Sequence, residues 1–133
     1  MSRHKYFEDL EEKCWEHPSH LGIVDSKRHK KWFQERRLYG FDSRETYSLN
    51  YTFYVWLYEH LMMYKEKAIE VIDLEYHTIV FNGENLTQLE CIDKMLEGCR
   101  LYIKDCESTD KEVQRKIKEV VEIWSIILPY MWW

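Results

Sequence analysis

Residues 87–131 read TQLECIDKMLEGCRLYIKDCESTDKEVQRKIKEVVEIWSIILPYM, and their spacing decides the fold class. Thr87-Gln88-Leu89-Glu90 is a capping box, in which the Thr hydroxyl and the Glu carboxylate satisfy orphan N–H groups at a helix start. Behind it Leu89, Ile92, Leu96, Cys99, Ile103 and Cys106 recur at alternating steps of three and four, one face of a helix. Thr109 to Glu112 repeats the capping signature. Val113, Ile117, Val120, Trp124, Ile127 and Met131 follow it at the same period. Two helices with matching seams and a short connection predict an antiparallel helical hairpin at the C-terminal end. Pro129 ends the last regular turn and leaves Tyr130-Met131-Trp132-Trp133 as an apolar tail.

Upstream, Gly40 to Ala68 holds the densest aromatic run. Phe53, Leu57, Leu61, Tyr64 and Ala68 mark a helix face that Trp56 and His60 would widen, so this helix is expected at the centre. The polar run Asp42-Ser43-Arg44-Glu45-Thr46 precedes it, where unpaired N–H groups and the dipole favour anions. Ser26 is placed to cap a helix from Lys27 to Tyr39, with Gly40 as its C′ residue. Residues 3–16 have the spacing of a short amphipathic helix, followed by a loop over 17–26. Val71 to Phe81, ending in the turn signal Asn82-Gly83, reads as irregular chain or a small hairpin. The expected architecture is all-α, a compact bundle of four or five helices in a single domain spanning residues 1–133.

Composition narrows the function. A formal charge of −5 argues against binding duplex nucleic acid. No apolar run is long enough to cross a membrane. The start MSRHKYFEDLEEK is too charged for a signal peptide, and four scattered cysteines suit a reducing cytoplasm. Six Trp and ten Tyr exceed what a core of this size needs, which points to a binding surface or a contact between copies in a homo-oligomer.

Signatures of catalysis are missing from the sequence: there is no nucleophile elbow, phosphate-cradling glycine loop, dinucleotide fingerprint or His-Glu-x-x-His. Glu59-His60 reads as part of a helical core, and Glu45 with His60 is the residual acid–base option. Cys14, His17 and His20 have metal-ligand types, but zinc takes four ligands and no second Cys/His pair follows. Neither metal nor cofactor is therefore expected. Cys99 and Cys106 read as small hydrophobes on the buried seam.

The chemistry-bearing stretch is the basic helix and the segment after it. Lys27, Arg28, Lys30, Lys31, Arg36 and Arg37 face a single acid, Glu35, and alternate with Trp32, Phe33 and Tyr39. Arg36, Arg37 and Arg44 offer planar donors for phosphate. Trp32, Tyr39 and Tyr47 offer faces for a stacked base. Asp42, Glu45 and Asn50 could read a base edge or a ribose hydroxyl. These nine residues are the candidate ligand-binding set; the bland alternative makes them caps, ion pairs and a solvated face.

Phe41-Asp42-Ser43-Arg44-Glu45-Thr46-Tyr47-Ser48-Leu49-Asn50-Tyr51-Thr52, with Trp56-Leu57, Leu61 and Tyr64-Lys65-Glu66, resembles a motif of small, uncharacterised accessory proteins of tailed bacteriophages. That motif runs approximately F-D-D-x-E-T-W-S-L-D-Y-T-x-A-x-W-L-x-x-R-L-x-x-Y-K-E. The chain departs from it at Ser43, Tyr47 and Asn50, and an amide at position 50 disfavours any role that needs charge there, such as metal binding. The resemblance implies a phage setting in the host cytoplasm and brings no activity with it. In that setting the expectation is a nonenzymatic counter-defence protein that sequesters a nucleotide-type immune signal. The alternative is a helical inhibitor or adaptor that binds a host defence protein through an aromatic surface. Aromatics around a concave basic cavity would favour the ligand, and an open apolar surface would favour the protein.

Overall fold

The computed structural model describes residues 27–133. The helix expected over 3–16, the loop 17–26, the Ser26 cap and the Cys14, His17, His20 group lie outside the described residues. Among those described, the order is α1 (Lys27–Tyr39), α2 (Arg44–Tyr47), α3 (Leu49–Ala68), β1 (Thr78–Phe81), β2 (Glu84–Thr87), α4 (Gln88–Lys104) and α5 (Lys111–Ile127). A 3-10 turn, Leu128–Tyr130, follows with Pro129 in its first positions. The architecture is a helical bundle with one small two-stranded sheet.

Gly40 closes α1 as the sequence predicts. It takes φ 84°, and its N–H donates to the Arg36 carbonyl at 2.9 Å. Only a residue without Cβ enters that region at little cost. The long central helix starts at Leu49, after the polar run, because Ser48 (φ −133°, ψ 72°) interrupts the chain between α2 and α3. The Asp42–Thr46 run thus leads into its own short helix, which joins α3 through the Thr52 hydroxyl donating to the Glu45 carbonyl at 2.6 Å.

In α3, Leu57, Leu61 and Ala68 are buried as expected, and Val55 and Tyr58 are buried with them. Trp56 and His60 do not widen the core. They stack on each other at 4.3 Å between ring centroids, and both are exposed. The buried face is therefore rotated toward Val55 and Tyr58, the side that meets α4.

The 71–83 region resolves into a hairpin shifted along the chain. Thr78 pairs with Thr87 and Phe81 with Glu84 across Asn82 (φ 51°) and Gly83 (φ 79°). Two consecutive positive φ angles match the right-handed twist of the strands in a two-residue turn. Phe81 and Leu86 point into the core.

Thr87 then begins α4 with the predicted capping box: its hydroxyl accepts from Glu90 N at 3.1 Å, and Glu90 Oε1 accepts from Thr87 N at 3.2 Å. The cap of α5 differs from the Thr109 expected. Asp110 takes the position, its carboxylate accepting from Glu112 N at 2.8 Å and Val113 N at 3.3 Å. A charged acceptor one residue nearer the helix outcompetes the hydroxyl. Ile92, Cys99, Ile103, Val120 and Ile127 are buried from the predicted seams, and Cys91, Met95 and Ile123 join them. Cys106 is exposed in the connection rather than on the seam.

Gly98 sets the spacing of α4 and α5. A Cβ there would lie 2.2 Å from a methyl of Val120 and 2.6 Å from the Lys116 carbonyl oxygen. Beside it Lys116 Nζ meets Glu97 at 2.8 Å. Alanine is the better helix former by about 1 kcal/mol, yet Gly98→Ala should destabilise the chain by about 1–3 kcal/mol through overpacking. Urea unfolding of the two proteins measures the difference; an unchanged or raised midpoint would contradict the close approach.

Candidate functional site

At the junction of α1 and α2 a carboxylate is taken out of water and surrounded by donors. Asp42 is fully buried. It accepts from Arg36 Nε at 2.6 Å, Arg44 Nε at 3.0 Å, Arg44 Nη2 at 2.9 Å and Arg44 N at 2.9 Å. A buried charge needs this degree of pairing. The Arg44 guanidinium lies over the Trp32 ring, 4.3 Å from its centroid, and is 7% exposed. Local spacing makes the arrangement possible. The tight turn after Gly40 brings Asp42 back beside Arg36, and the Asp42 carboxylate caps the Arg44 N–H two residues on.

Two further bonds tie the segment down. Glu45 Oε2 accepts from Asp42 N at 3.0 Å, and Ser43 Oγ donates to Glu35 Oε1 at 3.0 Å. Desolvation alone would raise the Asp42 carboxyl, but the hydrogen bonds from Arg44 and Arg36 outweigh it and hold the group down at about 2.

The nine candidate residues thus divide. Trp32, Arg36, Asp42, Arg44 and Glu45 come together as one cluster whose polar groups serve one another. Arg37, Tyr39 and Tyr47 stand outside it, with Tyr39 65% and Tyr47 71% exposed. Asn50 lies apart, its side-chain amide donating to the Tyr102 hydroxyl on α4; Tyr102 in turn stacks on Tyr54 at 4.0 Å. Leu38, Phe41 and Leu49, which sequence reasoning did not single out as site residues, are exposed with Phe33 around the cluster. Phe41 and Tyr39 approach to 6.2 Å between centroids. The clue in the sequence was Gly40, whose left-handed turn places its two aromatic neighbours on one rim.

Other chemistry among the described residues is sparse. No group of three or more His, Cys, Asp or Glu is placed to hold a metal ion, and no helix is long and apolar enough to cross a membrane. Glu45 is engaged with Asp42 N, whereas His60 Nδ1 lies 2.6 Å from the Trp56 carbonyl. Burial raises the carboxyl of neighbouring Glu59 while the His60 ring opposes that shift. Burial likewise raises the thiols of Cys91, to about 11, and Cys99, which disfavours the nucleophilic thiolate at neutral pH. A surface cavity of about 390 Å³ is lined by residues 69–75 and Leu89 and includes none of the nine candidates.

Comparison with protein-family models, with curated proteins and with solved structures finds no match to this chain.

Arg44→Ala should leave the buried Asp42 short of its main partner and destabilise the chain by about 3 kcal/mol, the usual result of halving a buried ion pair. Thermal melts test this; an unchanged midpoint would mean that the cluster is not structural. Acid gives a second reading. The folded state holds Asp42 below its unfolded value of about 3.9, so the unfolded chain binds the proton first. The cluster's contribution, roughly 2–3 kcal/mol, is complete above pH ~4 and lost as the pH falls through about 2. In Asp42→Asn this acid-dependent increment should vanish, which urea unfolding at a series of pH values measures.

Proposed function

We propose that this chain is a nonenzymatic binding protein that engages an acidic surface of another protein through the basic, aromatic strip between Lys30 and Leu49. One observation carries the reading: Arg44, the strongest candidate for holding a phosphate, is buried with its donors on Asp42. What remains on the outside is a surface rather than a cradle. Lys30, Lys31 and Arg37 are exposed together with Phe33, Leu38, Tyr39, Phe41, Tyr47 and Leu49. Small-molecule sites enclose most of their ligand, whereas protein interfaces use open patches enriched in Tyr, Phe and Arg.

The buried cluster then has a mechanical part. It holds the strip rigid before the partner arrives, which lowers the ordering cost of binding. Exposed cations around the aromatics speed encounter with an acidic partner and make it sensitive to salt. The resemblance of the 41–66 segment to phage accessory proteins supplies the setting, with a host defence protein as the partner in the host cytoplasm.

A second reading keeps the nucleotide-type immune signal as the ligand. Arg37, Tyr39 and Tyr47 are the candidates left exposed for it, one guanidinium for phosphate and two rings for stacking.

The experiment sets the parent beside Arg37→Glu and Tyr47→Ala in affinity capture from host extract and in calorimetry with linear and cyclic nucleotides. The protein reading predicts a captured protein that both substitutions release and that added salt weakens. Nucleotide binding by the parent, lost about tenfold to a hundredfold or more in Arg37→Glu, would establish the second reading instead. Capture that survives both substitutions, without nucleotide binding, would overturn the strip as the functional surface.

A further inference from the structure

A second apolar surface lies on α3, α5 and the C-terminal tail, and it shares no residue with the Lys30–Leu49 strip. On α3, Trp56, His60 and Met63 follow one another at helical spacing, and all three are exposed. On α5 and the turn that follows it, Val121, Trp124 and Leu128 do the same, with Trp124 half-buried. The Trp56 and Trp124 rings meet edge to face at 6.5 Å. Eight residues further along each element, the Tyr64 hydroxyl donates to the Trp132 carbonyl at 3.3 Å. The two rows therefore run side by side and end at the tail.

The tail is held rather than loose. Met131 packs against the core, its N–H donates to the Leu128 carbonyl at 3.2 Å, and the Tyr130 ring lies 4.3 Å from that of His77. Trp132 and Trp133 are nevertheless 71% and 57% exposed. A pinned backbone that presents two indoles to water is arranged for contact.

We propose that this surface is covered by the same surface of a second copy of the chain, forming a two-fold symmetric dimer. Area is the first support. With about 150–250 Å² for each aromatic side chain, Trp56, Trp132, Trp133 and the flanking Met63, Val121 and Leu128 leave roughly 500–700 Å² open. That is at the upper end of what a monomer leaves bare, about 300–600 Å², and close to the ~800 Å² per partner of a standard interface.

Charge is the second support. The chain carries a net −5, so two identical molecules repel except where they meet without charge. The side chains of Trp56, Met63, Tyr64, Val121, Trp124, Leu128, Trp132 and Trp133 carry none, and His60 stands among them. Charges stand at the edge, where Lys118 and Glu122 pair at 4.0 Å and Glu59 lies 3.8 Å from His60. An uncharged centre with a charged rim is the anatomy of an interface between copies, and a two-fold axis lets the patch serve as its own complement.

Sedimentation velocity of the full chain across the micromolar range tests the proposal. The parent should form a dimer and stop there. Trp132→Ala with Trp133→Ala, and separately Met63→Lys, should weaken the dimer at least tenfold, as removal of interface anchors does. Both changes fall on exposed side chains, and circular dichroism checks that the helices persist. Arg37→Glu, on the other strip, should leave the dimer intact. A parent that stays monomeric, one that assembles without limit, or a dimer indifferent to both sets of substitutions would each overturn the proposal. A dimer broken by Arg37→Glu alone would move the interface to the basic strip and overturn it as well.

Discussion

The carboxylate of Asp42 is the joint of the first two described helices, α1 and α2. It sits out of water where α1 and α2 meet, and each of its neighbours answers it. Arg36 reaches it from α1 and Arg44 from α2, while Trp32 closes over Arg44. Without that charge two guanidinium groups would face each other with nothing between them. α1 is polar nearly all round and has no apolar stripe with which to bury itself. Its position is set by directional bonds at its C-terminal end, so the placement of every exposed ring from Phe33 to Tyr47 follows from one acid.

The rest of the chain is held by a different force. Leu57, Leu61, Ile92, Met95, Ile103, Ile123 and Ile127 form a contiguous core between α3, α4 and α5. The hairpin adds Phe81 and Leu86 as a flap on its side. Gly98 lets α4 and α5 approach to backbone contact. One half is thus arranged by pairing of charges and the other by burial of hydrocarbon. Acid and overpacking act on them separately.

Legibility in the sequence followed the same division. The helices of the apolar half were readable because burial imposes a period: the Thr87 cap, the α4 seam and the central helix all lie near where spacing puts them. What spacing could not resolve was the choice between neighbouring positions. Trp56 and His60 share the period of the core but face outward. Thr109 and Asp110 are both caps, and the carboxylate prevails. β2 carries too few apolar residues to announce itself, and only its partner strand and the Asn82-Gly83 turn left a trace. In the charged half the residue types were legible and their direction was not. Arg44 beside Asp42 can bind a phosphate or bind Asp42, and the difference lies in the fold of the turn, which one-dimensional spacing does not contain.

Thr87 belongs to two elements at once. Its backbone closes the strand pairing opposite Thr78, and its hydroxyl opens α4 by accepting from Glu90 N. Behind it, Gln88 N donates to the His77 carbonyl and Leu89 N to that of Leu74, both at 3.0 Å. The hairpin therefore cannot fray without uncapping the helix that carries about a third of the core, and the first turn of that helix cannot loosen without releasing the hairpin. Amide exchange should register the two as a single opening unit, far slower than a two-stranded ribbon would show alone. A feature that looks like an appendage in the topology is, in the time domain, part of the bundle.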